Sequence, residues 1–178
     1  MDRKISCIGG LAFICAGLAW AQAPQRLPST NLPSLAGSRV TLPAASRGRV
    51  AVLVIGFTQG SSDPTSQWAA KLATVPKSLP VTQFAVAVLE DAPAFFRPII
   101  ETGMRHGLSK SDQRNFLILN HDETLWKKLV GFRYSQSDAA YILLLGRHGH
   151  IRGHWMGLPN AVNWSGFLAA LRRVEARR

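Results

Sequence analysis

Three groups of residues in this 178-residue chain have types and spacing that bear on chemistry. The first is Thr58-Gln59-Gly60-Ser61-Ser62-Asp63, set between an apolar run and a helix-like stretch. Ser61 or Ser62 serves as a nucleophile only beside a base that takes its proton. No Gly-x-Ser-x-Gly elbow and no placed histidine accompany them. Helix capping alone accounts for the serines, Asp63 and Pro64: Ser62 or Asp63 caps the helix, and Pro64 takes its first position. The alternative is contact with a partner or an anion, which a helix N-terminus favours. The second group is His148, His150 and His154. Histidines at i and i+4 on a strand lie about 13 Å apart, too far for one metal ion. Arg152 between them repels a cation, so these read as hairpin histidines and no metal is expected. The third group is Cys7 and Cys15, the only cysteines.

Those cysteines fall in a segment with the marks of a secretory signal. Arg3 and Lys4 precede an apolar run, Ile5 to Leu18, shorter than the roughly 20 residues of a membrane span. Ala19-Trp20-Ala21 and Ala21-Gln22-Ala23 both offer cleavage patterns, and cleavage after Ala21 is preferred because the other cut leaves Pro24 first. Residues 1–21 are therefore expected as a signal peptide and the product as exported, periplasmic or secreted. The alternatives are an uncleaved anchor, or a lipoprotein attached through Cys15, whose preceding Ala-Phe-Ile lacks the usual small residues. Cleavage removes 21 of 178 residues and leaves 157, free of cysteine and enough for one domain. The formal charge falls from +11 to +10 with Asp2, Arg3 and Lys4 gone. Such a charge favours anionic partners, an anionic membrane surface among them. Nucleic acid is not expected: the basic residues are scattered along the sequence without aromatic interleaving.

Around the Thr58–Asp63 loop, the elements follow from periodicity. Residues 22–34 are rich in Pro, Ser, Thr and Asn and read as a leader, with a domain over 35–178. Leu35 to Pro43 suggests a short hairpin or strand. Val50 to Phe57 is almost continuously apolar, the pattern of a strand covered on both faces. Trp68, Leu72 and Val75 share a helix face before Pro76 and Pro80. Val81–Leu89 is a second strand. Pro93–Met104 is a helix with Phe95, Ile99 and Ile100 inward, closed by Gly103 and Gly107. Asn115–Leu119 is a third strand. Glu123–Val130 is a helix capped by Asp122, with Leu125, Trp126 and Leu129 on its apolar side. Tyr141–Leu145 and His150–Trp155 form a hairpin across Gly146–Gly149. The last helix is capped by Asn163 and striped by Trp164, Phe167, Leu168, Leu171 and Val174, with Arg172, Arg173, Arg177 and Arg178 toward its C-terminus. Trp68, Trp126 and Trp164 read as packing residues; Trp155 reads as sheet-end packing or a partner anchor.

The order β-α-β-α-β-α-hairpin-α, with the strand–loop–helix at 50–75, resembles the thioredoxin-like redoxins. The resemblance covers about Leu35 to Val174 and implies a three-layer α/β/α sandwich, with a mixed sheet and a C-terminal β-hairpin plus helix. In that superfamily the reactive cysteines sit in the loop that holds Thr58–Asp63 here. Only a thiolate attacks a disulfide, so this version is expected to be redox-inactive and to need no cofactor. Ala139-Ala140 stands where thioredoxins place a groove-lining cis-proline, and Gly146 where redoxins commonly have Asp. Gly103-Met104-Arg105, Asp122, Leu125 through Gly131-Phe132, Tyr141 through Arg152, and Gly157 look like the assembly factors of the membrane sector of mitochondrial F-type ATP synthase. The resemblance implies an assembly role and contact across the old groove, by Thr58, Gln59, Gly60, Ser61, Ser62, Asp63, Ala139 and Ala140. The expected partner is an envelope protein or an anionic surface. The rival class is a redoxin-related enzyme, oxidoreductase- or peroxidase-like, that acts without thiols of its own.

Overall fold

A computed structural model describes residues 25–76 and 78–176; the expected signal peptide and both cysteines lie outside them. Two antiparallel strands come first, β1 (Thr30–Pro33) and β2 (Arg39–Leu42). A five-stranded sheet follows, in the order β5-β4-β3-β6-β7. Its members are β3 (Val50–Gly56), β4 (Val81–Val88), β5 (Phe116–Leu119), β6 (Tyr141–Leu145) and β7 (Ile151–Met156). β3 pairs in parallel with β4, and β4 with β5; β6 runs antiparallel to both β3 and β7. Five helices cover it: α1 (Ser62–Leu72), α2 (Arg97–His106), α3 (Lys110–Asn115), α4 (Glu123–Val130) and α5 (Ala161–Ala176).

The apolar run at 50–57 lies where its composition demands, as β3 in the sheet centre. Its side chains alternate between two cores. Val50, Val52 and Val54 join Ile142 and Leu144 beneath Trp68 and Leu72 of α1 and Phe167 and Leu171 of α5. Ala51, Leu53 and Ile55 join Leu143, Leu145 and Tyr141 beneath Trp126, Leu129 and Val130 of α4. Each fully buried aliphatic side chain contributes about 1.5–3 kcal/mol, and the neighbouring β6 is likewise buried at all five of its positions. The architecture is the expected three-layer sandwich with a mixed sheet.

Several boundaries differ from the sequence reading. The first hairpin is Thr30–Leu42, and its turn uses Gly37 at φ 83°. Leu27 and Leu32, inside the expected leader, are buried in the α4-side core. The described part of that leader is therefore a folded piece of the domain: two leucines in a polar, Pro-rich stretch carry too little pattern to announce a strand. α3 was not expected at all, since Lys110–Asn115 has no apolar stripe and buries no residue.

Three expected caps also change. Asn160 caps α5, its Oδ1 accepting from the Asn163 N–H at 2.9 Å. Asp122 has φ 64° and makes no side-chain cap; Glu90 from the end of β4 accepts the Glu123 N–H instead, at 2.5 Å. Neither Ser62 nor Asp63 caps α1. A 3-10 turn, Gln59–Ser61, leads into that helix and no side chain caps it.

Candidate functional site

The sheet has two ends of different chemistry. At the carboxyl ends of β3, β4 and β5 lie the Thr58–Asp63 loop, the Glu90–Phe96 loop and the start of α4. The strand β6 begins at this end, so Asp138, Ala139 and Ala140 arrive here too, as Tyr141 is paired with Ile55.

Within the loop, Thr58 Oγ1 donates to Asp138 Oδ1 at 2.5 Å. The Asp138 carboxylate lies directly over Gly60: a Cβ at Gly60 would stand 2.5 Å from Asp138 Cγ. Ser61 is 2% exposed, and its Oγ donates to the Thr58 carbonyl at 2.6 Å. Gly56 leaves the room for it, since a Cβ there would be 2.4 Å from Ser61 Oγ. Thr65 Oγ1 donates back to the Ser61 carbonyl at 2.8 Å, and Gln67 Nε2 donates to Asp63 Oδ2 at 2.8 Å.

These contacts decide what the loop can do. The Ser61 proton rests on a backbone carbonyl, which is no general base, so the hydroxyl is not an activated nucleophile. Ser61 and Ala140 are buried and present nothing to a partner, which corrects their expected place in the contact. Ala139 is half-buried and packs against the α4-side core. Thr58, Gln59, Gly60, Ser62 and Asp63 are exposed as expected. Asp138 was missed by the sequence reading. It precedes β6 by chain order, far from the loop, and only strand pairing brings it to the helix start. Its carboxylate satisfies the favourable field there, so an anion arriving at this end meets negative charge.

The segment carrying Asp138 is itself held. Tyr141 Oη accepts from the Arg133 N–H at 3.1 Å and donates to the Gln136 carbonyl at 3.1 Å. Phe57, Phe132 and Tyr141 pack with ring centroids 4.8–5.5 Å apart beneath it. Lys127 of α4 binds Glu123 at 2.6 Å and Asp91 at 4.0 Å, and lies 4.9 Å from the Phe132 ring centroid. The Glu123 hydrogen bond holds the Lys127 amine above its ordinary pKa, against the opposing effect of burial. Arg97 closes the neighbouring loop through the Glu90 and Ala92 carbonyls.

This same end collects exposed apolar side chains. Phe95, Phe96 and Ile99, two of which were expected inward, stand exposed on the loop and first turn of α2, Phe95 at 72%. Only Ile100 of that set packs inward, with Met104 and Leu35. Leu125 is exposed on the first turn of α4, and Tyr134 is 82% exposed. Leu158 and Val162 join them on the turn into α5, Val162 at 79%. Trp155, by contrast, packs 5.4 Å from Phe167.

No family model and no curated protein matches this chain. Solved structures do. BsSco, a member of the Sco family of cytochrome c oxidase assembly proteins, superposes with a TM-score of 0.56 at 10% identity, covering 86% of this chain and 95% of that one. A SCO1/SenC family lipoprotein from Bacillus anthracis gives 0.60 at 15% identity, over 85% and 96%. The thioredoxin domain of a thiol-disulfide oxidoreductase from Bacteroides vulgatus gives 0.56 at 13%, over 82% and 96%. At these identities the likeness is one of fold, and the resemblance to ATP synthase assembly factors rests on its short motifs alone. Sheet order, crossover helices and superposition agree: the chain carries the thioredoxin-like fold, with a hydrogen-bonded Thr58–Asp138 closure at the carboxyl end of its central strand.

Proposed function

We propose that this protein is an exported binding protein that engages an envelope protein client across the carboxyl end of its sheet, without thiol chemistry of its own. The observation that carries the proposal is the placement of the exposed apolar side chains. Phe95, Phe96, Ile99, Leu125, Tyr134, Leu158 and Val162 are the large hydrophobics exposed among the described residues, and all lie on loops or first helical turns at this end. Clustered exposed apolar surface rimmed by polar groups is the mark of a protein-contact surface. Asp63, Glu90, Asp91, Asp122 and Asp138 form the rim, which suits a client with apolar anchors and basic side chains.

Two further points support this reading. Residues 25–178 contain no cysteine, so disulfide exchange has no nucleophile in the domain. Among the structures of like fold, one belongs to a family of cytochrome c oxidase assembly proteins and one is a lipoprotein, in keeping with an assembly role at the envelope.

Site-specific photo-crosslinking in cells tests the proposal. A photoreactive side chain replacing Tyr134, Phe95 or Val162 is expected to trap one and the same envelope protein. The same group at Arg47 or Arg172, at the opposite end, is expected to leave it free. Equal trapping from both ends, or none from Tyr134, Phe95 and Val162, refutes the proposal.

A further inference from the structure

The opposite end of the sheet gathers arginines around two grooves. Its two adjoining grooves have volumes of about 580 and 480 Å³ and share Arg147 and His148. The larger is walled by Arg147, Arg152 and Arg173, over a floor that includes Ile151, Trp155 and Val174. The smaller is walled by Arg26, Arg47 and Arg147, over Leu27 and Pro43. The fold gathers these from four separate segments. The Gly48 N–H donates to the Arg147 carbonyl at 3.0 Å, which brings Arg47 to the β6–β7 turn. The Leu27 N–H donates to the Gly149 carbonyl at 2.9 Å, which brings Arg26. α5 supplies Arg173.

The lining of the two grooves contains no acid, and the acid nearest to it is Glu175. It is 7% exposed and committed to Arg147 at 2.7 Å. Arg147 Nε remains buried with no hydrogen-bond partner. Arg26, Arg47, Arg152 and Arg173 are exposed. The acids Asp63, Glu90, Asp91, Asp122, Glu123 and Asp138 are all at the other end of the sheet. Glu101 and Asp112, on α2 and α3, line neither groove.

We infer that this arginine end is a docking surface for an anionic phospholipid bilayer. Guanidinium groups match phosphate oxygens in pairs, and a flat array of five around shallow grooves fits many headgroups better than one enclosed ligand. The chain also enters the described fold here: the Ile151 N–H donates to the Gln25 carbonyl at 2.8 Å. No described helix is long and apolar enough to cross a membrane, so the contact is one of adsorption. Docked this way, the apolar and acidic end faces away from the bilayer.

The test is partitioning of the full chain onto vesicles of phosphatidylcholine alone and of phosphatidylcholine with phosphatidylglycerol. Binding through residues 1–24 appears in both and is the baseline; the arginine end contributes the difference. Each arginine near an anionic surface is worth about fivefold in partitioning. The triple variant Arg47→Gln, Arg152→Gln, Arg173→Gln is expected to lose the phosphatidylglycerol-dependent part by on the order of 100-fold. A double variant away from the grooves, Lys128→Gln, Arg133→Gln, is expected to stay within about threefold, since charges are screened beyond about 8 Å. All five positions are exposed, so both variants keep the wild-type melting curve. The inference fails if the two variants lose equally, if phosphatidylglycerol adds nothing, or if inorganic phosphate saturates the grooves at millimolar concentration while vesicles do not bind.

Discussion

Substituting Gly60 by Ala gives a prediction whose sign depends on a residue 78 positions away in the chain. Gly60 has an ordinary backbone, so alanine should by itself reduce the entropy of the unfolded chain and stabilise by about 0.4–1 kcal/mol. The Asp138 carboxylate reverses this. All three of the nearest atoms to a Cβ at Gly60 belong to it, at 2.5, 2.8 and 2.8 Å. The side chain must turn away, and the Thr58–Asp138 hydrogen bond goes with it. Hydrogen bonds to charged groups are worth about 1.5–3 kcal/mol, and the exposure of Asp138 puts this one at the low end. Gly60→Ala is therefore expected to destabilise wild type by about 1 kcal/mol. In an Asp138→Ala background the obstruction is gone, and the same substitution should stabilise by about 0.5 kcal/mol. The coupling is about 1.5 kcal/mol, large for a pair with no direct bond between the two residues. Urea unfolding of the four proteins, followed by tryptophan fluorescence, measures it. Equal costs in both backgrounds would falsify the described closure of the loop.

Other consequences follow from single contacts. Gly149→Ala should destabilise by more than about 2 kcal/mol, because φ is 77° and a Cβ would lie 2.4 Å from Pro43 Cγ; thermal melting checks it. Trp68→Phe removes the indole N–H donated to the Gly157 carbonyl at 2.7 Å and strands that carbonyl, at a cost of about 1–2 kcal/mol in chemical unfolding. The Glu123–Lys127 pair predicts a pH effect. The folded amine is raised above 10.5, so its stabilisation is complete below that pH and is lost as pH climbs through the folded value. Lys127→Met should flatten the stability profile in that alkaline window and leave its shape near neutrality unchanged.

Much of the fold was legible because it rests on strong local patterns. Val50–Phe57 admits cover on both faces and little else, and Trp68, Leu72, Phe167 and Leu171 lie at helical spacing on the faces they bury. The outward set on α2 was not legible. Phe95 and Ile99 are apolar and follow a helix period, and only the position of that turn beyond the sheet end leaves them exposed. Leu27 and Leu32 were hidden by the opposite effect, a polar composition around two buried anchors. The loop at Thr58–Asp63 could be located by its place after the central strand, but not its closure, because Asp138 reaches it through strand pairing. The arginines tell the same story: spread along the sequence, they read as scattered, and four segments bring them to one end.

The central claim is client binding through the carboxyl end of a thioredoxin-like sheet with no part played by cysteine. It is tested most directly by replacing both cysteines, Cys7→Ser and Cys15→Ser, in a chain carrying the photo-crosslinker in place of Tyr134. The account predicts that the same client is trapped at the same yield as with the cysteines present. Loss of that crosslink, with the protein present at normal level in the envelope fraction, would contradict it.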